Sequence, residues 1–261
     1  MKGILLAGST VLITGGGSGL GRELAVQAAR RGARVIVWDR DPEAARRTAD
    51  TVGGDWAEVD VTDAAQVRSA ASGRAVDVLI NNAGVVTGKL LLEASEEQIR
   101  RTFEVNTLAG FWTTQALLPG MLDRDRGVVV TIASAAGLVG VAKQTDYAAS
   151  KWGAIGFTES LRAELRSARS RVRTLVVAPY YINTGMFEGV TTRFPLLLPI
   201  LRPGPVATKV LNAVESGRQQ LVVPPMVRVV PPLRILPPAA FDVVLDFFGI
   251  NHTMDGFVGR G

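Results

Sequence analysis

A glycine-rich turn between an apolar strand and a helix constrains the fold of this chain more than any other feature. The run Thr14–Gly21 follows the β-rich segment Thr10–Ile13, and a helical pattern continues from Arg22 to Arg31. Glycines permit a tight turn and let the backbone approach a pyrophosphate, which the free N–H groups of the helix N-terminus attract. A glycine run alone could be a flexible loop, so the flanking strand and helix support the prediction. We expect a dinucleotide to contact Gly15, Gly17, Ser18, Gly19 and Leu20.

A second apolar strand, Arg34–Trp38, ends in Asp39, about twenty residues after Gly19. A carboxylate at that place meets the adenosine ribose hydroxyls and repels a 2′-phosphate, which favours NAD over NADP. Arg40 follows directly and could accept that phosphate, so NADP remains the less favoured alternative. The run from Asp39 to Pro42 also fits a helix N-cap and turn, in which case it would indicate no cofactor.

Apolar strand-like runs alternate with helical patterns along the whole chain. Repeated βα units with apolar strands predict a doubly wound parallel sheet with helices on both faces and its ligand at the carboxyl ends of the strands. With 261 residues, 47% of them hydrophobic, the chain suits one α/β domain spanning residues 1–261. Strands are expected near 9–14, 34–39, 55–60, 76–81, 127–133, 172–178 and 220–223. Helices are expected near 19–31, 42–52, 63–71, 96–119, 146–168 and 204–216.

Tyr147 and Lys151 place a phenol and an ammonium one helical turn apart. Ser134 lies thirteen residues before Tyr147. Side chains at i and i+4 share a helix face, so both can point into one cleft. A nearby positive charge stabilises a phenolate, so we expect Lys151 to lower the pKa of Tyr147 from its ordinary value of about 10. Ser134 follows a strand-like run and could hydrogen-bond a substrate oxygen beside the phenol. This spacing alone is a weak signal, and three ordinary polar residues are the alternative.

Two further groups of candidate residues follow the fourth predicted strand. Asn82, Ala83 and Gly84 include small residues that let a cofactor pass close to the backbone, although a plain strand-end turn has the same composition. Asn106 interrupts an otherwise helical run, where asparagine is mildly unfavourable. Its side chain could therefore bind water or a kinked backbone.

Composition restricts the chemistry and the partners. Cysteine is absent, which excludes disulfides and thiolate catalysis, and the single histidine, His252, lies in a C-terminal segment where a surface or packing role is expected. Base chemistry therefore falls to tyrosine, lysine or carboxylates, and no metal site is predicted. The net charge is +5, with five arginines from Arg162 to Arg173, but neither a nucleic-acid motif nor interleaved aromatics accompany them. These arginines fit a solvated helix end, and no nucleic-acid partner is expected.

Together these residues resemble the short-chain dehydrogenase/reductase family over essentially the whole chain. The matching motifs are Thr14-Gly15-x-x-x-Gly19-x-Gly21, Asn81-Asn82-Ala83-Gly84, Asn106, Ser134, Tyr147 and Lys151, in the same order and spacing. The resemblance implies a seven-stranded Rossmann-like sheet and a catalytic tetrad in which a water held by Asn106 relays protons. That tetrad is Asn106, Ser134, Tyr147 and Lys151. The implied cofactor contacts include Tyr147 and Lys151 together with Asp60 and Val61 at the adenine, and Pro179, Ile182 and Thr184.

The sequence after residue 179 is similar to the branch of epidermal retinol dehydrogenases and 17-beta-hydroxysteroid dehydrogenases. The similarity lies in Pro179–Gly189, Leu197–Leu201 and the tail Met254–Phe257. It implies reversible hydride transfer between NAD and a lipophilic alcohol of retinol, steroid or long-chain type. Residues 180–203 are rich in aromatic and aliphatic side chains and fit an apolar lid for such a substrate, although they could instead pack against the domain or a second subunit. A 3-oxoacyl thioester reductase and a non-catalytic NAD-binding sensor are the alternatives. Asp39 argues against the reductase, since such enzymes usually prefer NADPH.

The C-terminal extension, residues 221–261, is apolar and broken by three proline pairs, which exclude one long helix. It could dock on a membrane surface, cover the substrate pocket or form a subunit interface. No signal peptide or membrane-spanning run is visible, so a cytoplasmic protein, peripheral to a membrane at most, is expected. The family resemblance implies a homodimer or a homotetramer.

Overall fold

The computed structural model describes residues 3–259. Within this range seven parallel strands form one sheet in the order β3-β2-β1-β4-β5-β6-β7, which confirms the predicted Rossmann-like fold. The order reverses between β1 and β4, and a ligand crevice lies outside the carboxyl ends of the strands at such a switch point. The strands are β1 (Thr10–Thr14), β2 (Arg34–Asp39), β3 (Asp55–Glu58), β4 (Val78–Asn81), β5 (Val128–Ile132), β6 (Arg173–Pro179) and β7 (Gln220–Val223).

The strand sequences explain why both faces of the sheet are covered. In β1, Val11 and Ile13 pack into the core of one face, whereas Leu12 packs into the core of the other. Every residue of β1 and β5 is buried, as expected for parallel strands with helices on both sides. Strand β3 lies at the sheet edge and is mostly exposed. The observed strand ends lie within two residues of the predicted ones.

Helices fill the two faces of the sheet. They are α1 (Gly19–Arg30), α2 (Pro42–Val52), α3 (Ala64–Ala71), α4 (Glu96–Phe103), α5 (Ala109–Asp123), α6 (Thr145–Ser167), α7 (Pro203–Ser216), α8 (Val230–Leu233) and α9 (Pro238–Phe247). Helices α1 and α7 share one core with the sheet, and α3, α5 and α6 share the other. The catalytic candidates on α6 are therefore anchored to the sheet by a long, well-packed helix.

The single helix predicted over residues 96–119 is divided in the structure, so that prediction was wrong in part. Helix α4 ends at Phe103, a π-helical segment (Glu104–Leu108) follows, and α5 continues to Asp123. Asn106 lies in the π-helical segment, and its amide bonds to the backbone of Val85. π-Helical turns of this kind are frequent at functional sites.

The segments that follow β6 and β7 pack against each other near the carboxyl ends of the strands. Residues 180–202 form an irregular loop joined to itself by an isolated bridge between Ile182 and Leu201. Buried Tyr180 and Leu198 of this loop share a core with Met254 of the C-terminal extension. Of the three proline pairs, Pro224-Pro225 opens a 3-10 turn (Pro225–Val229), Pro231-Pro232 lies within the short helix α8, and Pro237-Pro238 lies at the start of α9. Across residues 3–259, every helix is too short or too polar to span a bilayer.

Candidate active site

The glycine-rich turn is fastened to the end of β4. The side-chain amide of Asn82 donates to the carbonyl oxygens of Thr14 at 2.9 Å and Gly15 at 3.1 Å. The Thr14 hydroxyl oxygen in turn accepts from the backbone N–H groups of Asn82 at 3.0 Å and Ala83 at 3.1 Å. Gly15 has a φ of +62°, and a Cβ there would lie 2.9 Å from the Cα of Ala83. Only glycine fits at this position, because both the backbone conformation and the space exclude a side chain.

Asp39 is held against the glycine-rich turn by backbone N–H groups. One carboxylate oxygen accepts from Gly17 at 2.9 Å, and the other accepts from Asp41 at 3.1 Å. Asp41 is itself the N-cap of α2, and its side chain accepts from Ala44 at 3.0 Å. The helix-cap interpretation therefore applies to Asp41, whereas the Asp39 carboxylate lies in the crevice wall beside Arg40.

Asp60 provides a second carboxylate in the same wall. Its Oδ1 accepts from the N–H group of Thr62 at 2.9 Å and from the Thr62 hydroxyl at 2.7 Å. Burial raises the pKa of Asp60, but these two hydrogen bonds and the positive charges of Arg101 and Arg40 outweigh that effect. The pKa of Asp60 is therefore lowered from its ordinary value of 3.8. Asp60 is an ionised hydrogen-bond acceptor at neutral pH.

The structure brings Ser134, Tyr147 and Lys151 together around one space. The Lys151 Nζ lies 5.7 Å from the centroid of the Tyr147 ring and donates to the carbonyl oxygen of Ile132 at 3.0 Å. Ser134, just beyond β5, hydrogen-bonds to the Tyr147 phenol. Its Oγ also accepts from the N–H group of Ala136 at 3.1 Å, which fixes the side chain. The strand end and the helix thus present a hydroxyl, a phenol and an ammonium to the same cleft.

The electrostatics of this group differ from the expectation based on the sequence. Burial raises the pKa of Tyr147 to about 12, and the hydrogen bond with Ser134 opposes that shift. Burial also lowers the pKa of Lys151 to about 8. The expectation that Lys151 lowers the pKa of Tyr147 is therefore wrong for the protein alone, because desolvation of the phenolate dominates.

Asn106 connects the loop after β4 to helix α6. Its Oδ1 accepts from the N–H group of Val85 at 2.8 Å, and its Nδ2 donates to the Val85 carbonyl at 2.9 Å. The same Nδ2 donates to the Ser150 hydroxyl oxygen at 3.0 Å, and that hydroxyl donates to the Tyr147 carbonyl at 2.7 Å. Asn106 therefore positions the helix backbone at the tyrosine. The expected role of Asn106 in holding a water stays a prediction.

One cavity of about 490 Å³ joins the glycine-rich turn to these side chains. Its lining contains all the predicted cofactor contacts except Gly17, whose N–H group donates to Asp39. Of the four predicted catalytic residues, Asn106 alone lies outside the lining. His252 also lies outside it, with a side chain that is 74% exposed and a ring nitrogen 3.1 Å from Asp255. Among the residues predicted to be catalytic, the tyrosine and the lysine therefore stay the candidates for base chemistry in the cavity.

Residues 9–193 match a family model described as short chain dehydrogenase. The chain belongs to the short-chain dehydrogenase family. It is an oxidoreductase of that family, and the matched segment contains β1 to β6 and all four predicted catalytic residues.

Similar proteins match this short-chain dehydrogenase over nearly its whole length. Epidermal retinol dehydrogenase 2 of Homo sapiens is 41% identical over 98% of this chain and 87% of its own length. The structure of a short chain dehydrogenase/reductase from Burkholderia phymatum in complex with NAD has a TM-score of 0.80 at 29% identity, covering 93% of this chain and 96% of that one. A short chain dehydrogenase from Burkholderia cenocepacia in complex with NADP has a TM-score of 0.82 at 28% identity, covering 93% and 99%.

The cavity of this dehydrogenase also contains residues that the sequence patterns did not indicate. Gln144 lines it three residues before Tyr147, and helical spacing relative to the tyrosine could have identified it. Met226, Phe248 and Thr253 of the C-terminal extension also line it. No local pattern could place those three, because their position depends on how distant segments of the chain pack together.

Proposed function

We propose that this protein is an NAD-dependent oxidoreductase that transfers hydride reversibly between a lipophilic alcohol and the corresponding carbonyl compound. The observation that carries the proposal is the single cavity that joins the glycine-rich turn to Ser134, Tyr147 and Lys151. A dinucleotide at the turn and an alcohol at the phenol would share that space. Membership of the short-chain dehydrogenase family and the similarity to a retinol dehydrogenase support the same class of reaction.

The residues around the turn fit a dinucleotide. The first turn of α1 contains no acidic residue and lies at the cavity through Gly19 and Leu20, so it can receive a pyrophosphate. Asp39 and Asp60 are carboxylate acceptors suited to the ribose and adenine. NAD bound there would supply the hydride acceptor. The nicotinamide end would contact Asn82, Ala83, Gly84, Tyr147, Lys151, Pro179, Ile182 and Thr184.

Tyr147 is the proposed base in the direction of alcohol oxidation. With a pKa of about 12 the phenol is protonated at neutral pH, so nearby positive charge must favour the phenolate. Lys151, with a pKa of about 8, is mostly protonated at neutral pH and supplies one such charge. The phenolate takes the hydroxyl proton of the alcohol, while Ser134 hydrogen-bonds the substrate oxygen. Positioned proton transfer of this kind contributes about 10²–10⁴-fold to the rate.

Removing the phenol hydroxyl tests the proposed base. Tyr147→Phe should abolish turnover and leave NAD binding nearly unchanged, because the ring keeps its packing and only the proton acceptor is lost. NADH absorbance reports turnover, and fluorescence titration reports binding. Tyr180→Phe, which removes the hydroxyl of another buried cavity tyrosine, is the matched control and should retain turnover. Near-normal turnover by Tyr147→Phe would contradict the assignment.

The wild-type enzyme also distinguishes the alternatives. NAD binding without turnover of retinoids, steroids or long-chain alcohols would favour the non-catalytic sensor. Preferential reduction of a 3-oxoacyl thioester with NADPH would favour the thioester reductase.

The preference for NAD is proposed from Asp39. Its carboxylate is fixed by two backbone N–H groups, so it cannot readily turn away from a 2′-phosphate. The neighbouring Arg40 offers a phosphate partner, and the two similar structures carry NAD in one case and NADP in the other. The measurement is the ratio of kcat/KM for NAD to that for NADP. A higher value with NADP would contradict the proposed preference.

A lipophilic substrate is proposed from the part of the cavity beyond the phenol. The Phe187 ring meets the Tyr147 ring edge to face at 5.7 Å, and Leu198 and Phe248 continue the apolar wall. We propose that residues 180–203 act as the substrate lid of a single domain and that the C-terminal extension closes the cavity. A screen of retinoids, steroids and long-chain alcohols should find substrates, whereas turnover restricted to small polar alcohols would contradict this view.

We also propose that the C-terminal extension contacts a membrane surface. Ile235, Val243 and Phe247 are 88%, 69% and 59% exposed, while Val244 and Phe248 beside them line the cavity. An apolar face next to the cavity would let a lipophilic alcohol pass from a bilayer to the active site. The wild-type protein should co-sediment with phosphatidylcholine/phosphatidylserine vesicles, and Ile235→Ser combined with Val243→Ser should weaken this. Absence of wild-type co-sedimentation would contradict the proposal.

A homodimer or homotetramer is proposed from membership of the family. Exposed apolar side chains at Leu108 and Phe111, which are 40% and 37% exposed, provide a surface for such an assembly. Sedimentation velocity measures the oligomeric state directly, and a monomer at micromolar concentration would contradict the proposal.

A further inference from the structure

The side-chain amide of Gln144 is buried in the cavity wall with its oxygen unpaired. Gln144 is 1% exposed and is the N-cap residue of α6. Its Nε2 donates to the phenol oxygen of Tyr181 at 3.1 Å. Among residues 3–259, no donor lies within hydrogen-bonding distance of its Oε1. A buried carbonyl without a donor is destabilising, so this atom is a strong acceptor for a ligand.

A chain of hydroxyl groups fixes the orientation of this amide. Thr253 Oγ1 lies 2.8 Å from the carbonyl oxygen of Ile250, which can only accept, so the Thr253 proton is used there. The Tyr181 hydroxyl, 2.8 Å from Thr253 Oγ1, must then donate to it. The Tyr181 oxygen must therefore accept a hydrogen bond from Gln144, and only the amide nitrogen of Gln144 can donate one. The unpaired atom is thus the oxygen, which needs a donor.

Gln144 lines the same cavity as the proposed base, Tyr147. Gln144 and Tyr147 are three residues apart at the start of α6, a spacing that brings side chains onto one face. The Phe187 ring meets both tyrosine rings, with centroids 5.0 Å from Tyr181 and 5.7 Å from Tyr147. A substrate whose reacting hydroxyl lies at Tyr147 would therefore have Gln144 among the wall residues next to it.

We propose that Gln144 Oε1 accepts a hydrogen bond from the substrate. The preferred substrate is then a lipophilic alcohol with a second donor, such as a vicinal hydroxyl, close to the reacting carbinol. This inference rests on the proposed function, since it places the reacting hydroxyl at Tyr147. A site built to pair with a substrate hydroxyl discriminates against the analogue that lacks it, because the buried acceptor is left unpaired.

The test compares a long-chain vicinal diol with the mono-alcohol of the same chain length. The wild-type enzyme should use the diol with a kcat/KM about 10-fold higher or more. Gln144→Met, which keeps an unbranched side chain of similar length, should lose this preference and use the mono-alcohol at least as well as the wild type does. An ordered water on Oε1 would leave the two substrates equivalent in the wild type, and that result would overturn the proposal.

Tyr181→Phe separates recognition from packing. This variant releases the orientation of the amide but keeps the Gln144 side chain, and the second hydroxyl of the diol can pair with either end of that amide, so the variant should retain a preference for the diol. Equal loss of the preference in both variants would assign the effect to packing and overturn the proposal.

Binding measured without turnover separates this inference from the proposed reaction. Calorimetry on the NADH complex should show tighter binding of the diol than of the mono-alcohol in the wild type, and equal binding in Gln144→Met. If the diol binds in this way but neither compound is oxidised, the proposed reaction fails and the recognition role stands. The recognition role is overturned if the wild type binds the two compounds equally or binds neither. It is also overturned if Gln144→Met keeps the preference for the diol.

Discussion

Lys151 should make the folded protein less stable at neutral pH than a variant with an uncharged side chain at that position. Burial lowers the pKa of Lys151 from 10.5 to about 8. At about 1.4 kcal/mol per pKa unit, keeping the ammonium charged at pH 7 costs the fold about 3 kcal/mol. Lys151→Met preserves the unbranched shape but loses the hydrogen bond to the Ile132 carbonyl, which is worth about 1 kcal/mol. The variant should therefore have a free energy of unfolding higher by about 2 kcal/mol.

This gain should shrink as the pH rises. The folded-state pKa of Lys151 lies below the unfolded value, so between pH 8 and 10.5 the unfolded chain binds more protons than the folded one. The wild-type protein therefore gains stability with increasing pH in that range, whereas the variant has no titrating group there. The difference between them should fall by about 2 kcal/mol from pH 7 to pH 9.5. The raised pKa of Tyr147 acts in the opposite direction, but only between pH 10 and about 12.

Urea unfolding of the cofactor-free protein, followed by circular dichroism at pH 7 and pH 9.5, measures the difference in free energy of unfolding between the wild type and Lys151→Met and its change with pH. The matched control is Lys209→Met, because Lys209 is exposed on α7 and its loss should change neither value appreciably. A Lys151→Met variant that is less stable than the wild type at pH 7 would refute the reasoning. A stability difference that does not change with pH would refute it as well.

Further substitutions test the frame around the site. Thr14→Val should lower the free energy of unfolding by about 1–3 kcal/mol, because two backbone N–H groups at the end of β4 lose their acceptor; chemical denaturation measures this. Asp39→Ser should shift the kcat/KM ratio toward NADP by about tenfold or more, since a carboxylate close to a 2′-phosphate no longer opposes it; an unchanged ratio would contradict this. Ser95→Ala removes the capping box of α4 and should lower the free energy of unfolding by about 1 kcal/mol, seen as a thermal midpoint about 2–4 °C lower. Gly84→Val should reduce kcat at saturating NAD, because even a Cβ there lies 3.3 Å from Asn106 Oδ1; kcat equal to that of the wild type would contradict the crowding.

Local patterns were sufficient to predict the sheet and the glycine-rich turn. Strand β5, for example, is apolar in four of its five residues and buried throughout, which is the pattern of a strand covered on both faces. The spacing of Tyr147 and Lys151 places both on one helix face, and Ser134 follows the carboxyl end of a strand, where ligands bind in parallel sheets. These arguments need only the immediate sequence.

Features that depend on contacts between distant segments could not be predicted. The helix is divided at Asn106, whose amide bonds to Val85, 21 residues away along the chain. The pKa of Tyr147 is set by burial, whereas its distance in sequence from a lysine suggested the opposite shift. The hydrogen bond between Tyr181 and Thr253 joins residues 72 positions apart. In each case the contact or the burial that decides the outcome exists only in the folded chain.

The cavity is assembled from two stretches of chain with separate tasks. Residues up to the end of β6 include the four predicted catalytic residues and all the predicted cofactor contacts except Ile182 and Thr184, while much of the apolar wall comes from residues 180–259. Related enzymes can therefore acquire new substrates through substitutions in residues 180–259, while the residues up to the end of β6 stay unchanged. A chimera that exchanges residues 180–259 between two such enzymes should therefore take its substrate preference from the parent of the later stretch and its cofactor preference from the parent of the earlier stretch.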